Sequence, residues 1–126
     1  MNFSCKRDFE RLCYAKLYEL ELIEYAEDKA RAESEKMADM LVSASLKTLG
    51  DCRALLKHSR RTPMSLKFKP RARRLEDALC EICSLKEKWI ESARKYAFEV
   101  SGSEKELLLR ICDCEYDEIQ KIKRCM

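Results

Sequence analysis

The segment SRRTPMSLKFKPRARR, residues 59–74, holds both prolines of the chain and decides its topology. Proline lacks the backbone N–H and clashes with the preceding turn, so helix interior cannot run through Pro63 or Pro70. Sixteen residues are more than the ~2–8 that join neighbouring helices of an up-and-down bundle. Fully extended, such a length reaches up to ~50 Å, enough to cross a bundle from end to end. The segment is also chemically distinct. Between Lys57 and Arg74 stand eight Lys or Arg and no acid. The other 18 basic residues face 23 acidic ones, a net −5 inside a chain of formal net charge +3.

The flanking blocks are helical in pattern. Phe9, Leu12, Cys13, Leu17, Leu20, Ile23, Ala26, Ala30, Met37, Leu41 and Ala44 recur at helical spacing upstream, with Gly50 the one breaker. One helix from Lys6 to Lys57 would run ~75 Å, so the block reads as two antiparallel helices with a turn between Asp28 and Ser34. Downstream, Leu75, Ala78, Leu79, Ile82, Leu85, Trp89, Ile90, Ala93, Tyr96, Ala97 and Val100 trace one stripe. Gly102 is expected to cap that helix, and Ser103 with Glu106 to form a capping box for the next. Leu107, Leu108, Ile111, Cys114, Ile119 and Ile122 then face inward.

The expected fold is all-α: a four-helix bundle of one domain, 1–126, built as a helical hairpin 6–58, a basic crossover 59–74 and a second hairpin 75–125. A long crossover between helices 2 and 3 is the ferritin-like arrangement. Composition agrees: of 126 residues 46% are apolar and 39% charged, with two Gly and two Pro. That is too apolar for a disordered chain and too poor in turn formers for a β-sandwich. The N-terminus, MNFSCKRDFERLC, lacks the apolar run of a signal peptide. The longest uncharged stretch, Met40 to Leu46, falls far short of the ~20 residues of a membrane helix. A cytoplasmic location with no membrane partner is the expectation.

Residues 78–124, ALCEICSLKEKWIESARKYAFEVSGSEKELLLRICDCEYDEIQKIKR, resemble the second helical hairpin of the rubrerythrin and ferritin-like families. The resemblance implies a site for two iron or manganese ions between the helices, held by Glu from two helices and Glu-x-x-His from the other two. Glu115 falls at the motif Glu and Glu118 at the His position. Glu87 lies near the lone helix-three carboxylate, about one residue out of register, and Glu91 one turn beyond it. Folding near Gly102 sets Glu87 beside Glu115. Folding the first block near residue 30 sets Ala15 opposite Ala44 or Ser45, with no carboxylate pair. The implied metal site is therefore incomplete, with Glu87, Glu91, Glu115 and Glu118 as its candidates.

Other constellations yield narrower expectations. Cys80-x-x-Cys83 and Cys112-x-Cys114 would lie ~12 Å apart along the paired helices, too far to share one zinc ion or iron–sulfur cluster. Cys80 falls near the level of Cys125, where a contact or disulfide is possible, and the ferritin-like topology would bring Cys5 towards Cys52. The remaining reading is buried, unpaired thiols. Arg53 and His58 match the bare spacing of the HEPN ribonuclease motif, in which such a pair binds and activates a phosphate. Arg60, Arg61, Lys67, Lys69, Arg71, Arg73 and Arg74, with Phe68 among them, could neutralise nucleic-acid phosphates and stack a base, or lie against the protein's own acidic helices.

The function expected from these features is a non-catalytic helical-bundle binding or assembly protein, a homo-oligomer or the partner of another protein, with no cofactor. Alternatives are a metal-binding oxidoreductase of di-iron type, a nucleic-acid-binding protein acting through the crossover, and a HEPN-type ribonuclease.

Overall fold

The computed structural model describes residues 3–59 and 68–126, and the side chains of 7–58 and 68–126. Four helices account for most of them: α1 (Phe3–Glu33), α2 (Glu35–Ser59), α3 (Leu75–Ala97) and α4 (Ser103–Cys125). The first block folds at Ser34, the one residue between α1 and α2 outside helical geometry. A serine suffices because its Oγ accepts the Met37 N–H at 3.3 Å, satisfying one of the free donors at a helix start. Ala26, Ala30 and Ala38 are buried beside the turn, and their small side chains let the two helices close tightly.

The second hairpin turns at Gly102, whose φ of +72° is disfavoured for residues with a Cβ. The cap differs from the sequence expectation. Gly102 is the N-cap of α4 and α3 has already ended at Ala97; Ser103 is the first helical residue, and the N-cap position makes no side-chain capping hydrogen bond. The glycine backbone turns the chain into α4 one residue early, and Glu106 N–H bonds Gly102 O at 3.2 Å instead.

Contacts fix the directions of the helices. Phe9 packs on Tyr96, Trp89 Nε1 donates to Leu12 O, Lys86 meets Glu19, and Tyr25 Oη donates to Ala72 O. Ascending positions on α1 thus meet descending positions on α3, so α3 begins at the end of the bundle where α1 finishes. The molecule is an all-α four-helix bundle in which the connection from Ser59 to Leu75 leads from one end to the other. No helix among the described residues is long and apolar enough to cross a membrane.

Leu22, Ile23, Leu41, Leu55, Leu79, Ile82, Leu108, Ile111 and Ile122 form the fully enclosed core, each worth ~1.5–3 kcal/mol on burial. Cys112, not Cys114, is the buried thiol of α4. Residue 112 sits beside Leu108 and Ile111 on the helix, whereas residue 114 turns away from that stripe.

The described part of the crossover is held by aromatic contacts rather than by ion pairs. The Phe68 ring lies 5.3 Å from Tyr18 and 6.0 Å from Tyr25, and Tyr25 Oη donates to Ala72 O at 2.9 Å. Lys69, Arg71, Arg73 and Arg74 are exposed and form no ion pair among the described residues. Arg60, Arg61 and Lys67 lie outside the described residues.

Candidate functional site: a lysine–glutamate cluster inside the bundle

At mid-bundle the apolar core is interrupted on every helix at once. Lys16 and Glu19 of α1, Thr48 of α2, Lys86 of α3, and Glu115 and Glu118 of α4 are all buried; Lys16, Lys86 and Glu115 are 0% exposed. The helix phase puts them there. Leu12–Lys16–Glu19–Ile23, Ile82–Lys86–Trp89 and Ile111–Glu115–Glu118–Ile122 continue the same 3–4 spacing that buries their apolar neighbours.

Lys86 is the hub. Its Nζ contacts Glu115 Oε1 at 3.0 Å, Glu19 Oε2 at 3.2 Å and, more closely, Glu118 Oε2. Three ammonium protons meet three carboxyl groups, the full capacity of a lysine. Lys16 Nζ lies 3.0 Å from Glu115 Oε2 and 3.4 Å from Glu19 Oε1. The contact with Glu115 is an ion pair off the hydrogen-bond direction, since that oxygen accepts no hydrogen bond. The same ammonium stands 3.9 Å from the Trp89 ring centroid, a cation–π contact in a desolvated setting.

Two ammonium groups face three buried carboxyls, so one negative charge is left over. Burial drives Glu19 up to about 8 against the pull of Lys16 and Lys86. Glu115 goes the other way: burial opposes its charge, but Lys16 and Lys86 overcome that and hold it at about 2. The opposed shifts, with burial raising Glu19 and the two ammonium groups lowering Glu115, favour a proton retained on the Glu19–Glu115 pair, on the Glu19 side. For Lys86 burial favours the uncharged amine, yet Glu19, Glu115 and Glu118 outweigh it and raise its pKa. Asp51 of α2 borders the cluster, pushed up to about 6 by burial. The Thr48 hydroxyl, Asp51 Oδ2 and Glu118 Oε1 are buried without a hydrogen bond, the first an unused donor as well as an acceptor.

The four candidate metal ligands are not brought together. Glu115 and Glu118 point into the cluster, whereas Glu87 and Glu91 stand in solvent, paired with Lys123 at 3.4 Å and Lys95 at 3.5 Å. The reason is the one-residue offset on α3: the position facing Glu115 is Lys86, and Glu87 is rotated ~100° away. The first hairpin supplies charges that the sequence reading missed, because it folds at Ser34 rather than near residue 30. Moving the fold by four residues slides the partner helix by eight. The level of Lys16 and Glu19 then meets Thr48, Asp51 and Cys52, not Ala44 or Ser45. Charged residues recurring in the apolar stripe were the signal available in the sequence.

As a donor set these residues do not fit a di-iron or dimanganese centre. Each of Glu19, Glu115 and Glu118 already binds an ammonium nitrogen, and a divalent cation there would meet strong like-charge repulsion in a low-dielectric setting. No group of three or more His, Cys, Asp or Glu able to hold a metal ion occurs among the described residues. The seven described cysteines, Cys80 and Cys125 included, are free thiols, so the disulfide considered between that pair is not formed; the side chain of Cys5 lies outside the described residues. Burial raises Cys13 and Cys112 to about 11 and Cys52 to about 12, which marks them as unreactive.

Arg53 and His58 are exposed near the end of α2 and line an open groove of about 600 Å³ with Lys57, Ser103, Glu106 and Arg110. A second groove, about 610 Å³, runs between α1 and α3 over Leu12, Ala15, Leu85, Trp89 and Tyr96. No protein-family model, curated protein or solved structure matches this chain.

Proposed function

We propose that this chain is a non-catalytic helical-bundle binding or assembly protein, with a self-neutralising ionic core where a bundle of this topology could carry a metal centre. The observation that carries the reading is Lys86. Its ammonium group meets Glu19, Glu115 and Glu118 together, leaving no free carboxylate pair for a catalytic cation. The pairing also withholds all three carboxylates from acid–base chemistry on a substrate, because they face the interior. Support for assembly comes from large apolar side chains left at the surface. Val42 and Leu46 stand one turn apart on α2, and Leu109 and Tyr116 lie on one side of α4.

Elemental analysis tests the reading directly. Protein produced in medium supplemented with iron and manganese, and purified without chelator, is expected to carry neither metal stoichiometrically. A content of about two ions per chain, as in di-iron bundles, overturns it. Sedimentation across a concentration series tests the assembly half: self-association that Leu46→Glu weakens is expected, and a strict monomer binding no protein partner removes it.

A further inference from the structure

The groove at the junction of α2 and α4 is predominantly basic. Arg53, Lys57 and His58 reach it from the last turns of α2, and Arg110 from the second turn of α4, against the single acid Glu106. All four basic side chains are exposed, and none forms an ion pair among the described residues. Lys95 and Lys123 are paired with Glu91 and Glu87, whereas Lys69, Arg71, Arg73 and Arg74 of the crossover are unpaired among the described residues, as the groove's cations are. The groove also borders the start of α4, whose N-cap Gly102 offers no side-chain acceptor to the first-turn N–H groups. Those N–H groups are further donors, while the negative dipole end of α2 meets the positive end of α4 there, so the positive field comes from the side chains.

We propose that this groove binds the phosphodiester backbone of a single-stranded nucleic acid. The proposal goes beyond the binding role inferred above by giving it a site and a ligand class. Shape favours a strand over a lone phosphate. The groove is open, and its cations are dispersed along it rather than converging on one point. Arg53 and Lys57 stand one turn apart, ~6 Å along the helix axis, with Arg110 on the facing helix, an arrangement that meets successive phosphates. Base stacking plays little part, because no Phe, Tyr or Trp lines the groove and Phe68 is engaged by Tyr18 and Tyr25. Recognition is therefore electrostatic, tolerant of sequence and steeply dependent on salt.

The test uses the full chain and a fluorescein-labelled oligouridylate of about 20 nucleotides, read by anisotropy across a salt series. Arg53→Ala with Arg110→Ala is expected to weaken binding roughly tenfold at low salt and to flatten the log–log salt slope by about 1.4, two contacts at ~0.7 each on a single strand. The charge-matched pair Lys88→Ala with Arg94→Ala, on exposed positions of α3, is expected to leave both nearly unchanged. His58 is the only histidine, so its ring resonances are expected to shift when the strand is added. Equal losses from the two pairs would reduce the effect to net charge and overturn the site. So would an unmoved His58, or no binding by the parent at low salt. Inorganic phosphate and pyrophosphate form the competing arm: if either displaces the strand at matched phosphate concentration, the groove is a small-anion site and the strand proposal falls. Circular dichroism of each variant shows that the bundle is intact. None of these outcomes depends on the metal analysis, so either proposal can fail alone.

Discussion

Lys86 and Glu87 are adjacent in the chain, and their surroundings show how much helix phase decides. The Lys86 ammonium is sealed among Glu19, Glu115 and Glu118, while Glu87 meets Lys123 in solvent with both side chains more than half exposed. The inner cluster and the outer pair use the same two chemical groups at similar distances. What separates them is solvation. Water and salt screen the outer pair, which has little to lose when broken. The inner charges have given up their hydration and depend on one another for compensation, so removing a single partner strands the rest.

The largest test of that contrast is Lys86→Met. It leaves three buried carboxyls facing one remaining ammonium, and should cost about 3–5 kcal/mol in urea unfolding at neutral pH. The loss should shrink in mild acid, where stranded carboxyls take up protons. A cost under about 1 kcal/mol would mean that water reaches the site and that the inner pairs behave as surface pairs do.

Replacing the whole cluster asks the complementary question. Lys16→Met, Glu19→Leu, Lys86→Met, Glu115→Leu and Glu118→Leu together remove every buried charge at this level. The expected outcome is a stability equal to the parent or higher by about 1–4 kcal/mol, since well-packed apolar groups avoid the desolvation of ions. A large loss in the same urea experiment would assign the cluster a positive share of the folding energy. Unchanged stability with broadened NMR lines would assign it to fixing a single packing arrangement.

The pH dependence separates the inner groups from one another. Glu19 titrates near 8 in the folded chain against an ordinary 4.5. Between those values the folded state binds more protons than the unfolded one, so the contribution of Glu19 to stability falls as pH rises from about 4.5 to about 8 and changes no further above. Asp51, raised to about 6, adds to the fall over the lower part of that range. Glu115, held near 2, has the opposite sign, and stability is lost as pH drops from about 4.5 towards 2. Maximum stability is therefore expected in mild acid, near pH 4–5. Glu19→Gln should flatten the slope between pH 5 and 8 and leave the acid limb in place. An unaltered slope would move the retained proton away from Glu19.

Much of this architecture is written in the sequence. The apolar stripes, the two prolines and the basic composition of 59–74 specify four helices and a crossing connection, because burial periodicity and proline geometry are local properties. The centre was harder to see for two reasons. A lysine or glutamate within a stripe counts against burial until its partners on other helices are known, so Lys16, Glu19 and Lys86 became legible only once the bundle placed them at one level. The turn at Ser34 carries no glycine or proline; it falls at the end of the expected window 28–34, and pairing the helices about residue 30 instead exchanged Asp51 and Thr48 for Ala44 and Ser45. Glu115 and Glu118 were singled out by the resemblance to the ferritin-like motif, as metal ligands, and the structure sets them against Lys86 instead.

The smallest expected effect belongs to the outer pair and completes the comparison. Lys123→Met or Glu87→Gln should change stability by no more than about 0.5 kcal/mol, and raising the salt concentration should erase even that. The two substitutions should also add nearly independently, with a coupling below about 0.5 kcal/mol. By contrast, Lys86→Met and Glu118→Gln remove partners from one shared buried network, so their coupling should be about 1–3 kcal/mol. Running both double-mutant cycles in one buffer makes the comparison internal to the molecule. If the outer cycle couples as strongly as the inner one, helix phase is not what distinguishes Lys86 from Glu87. Close couplings that both vanish in salt would place water inside the bundle.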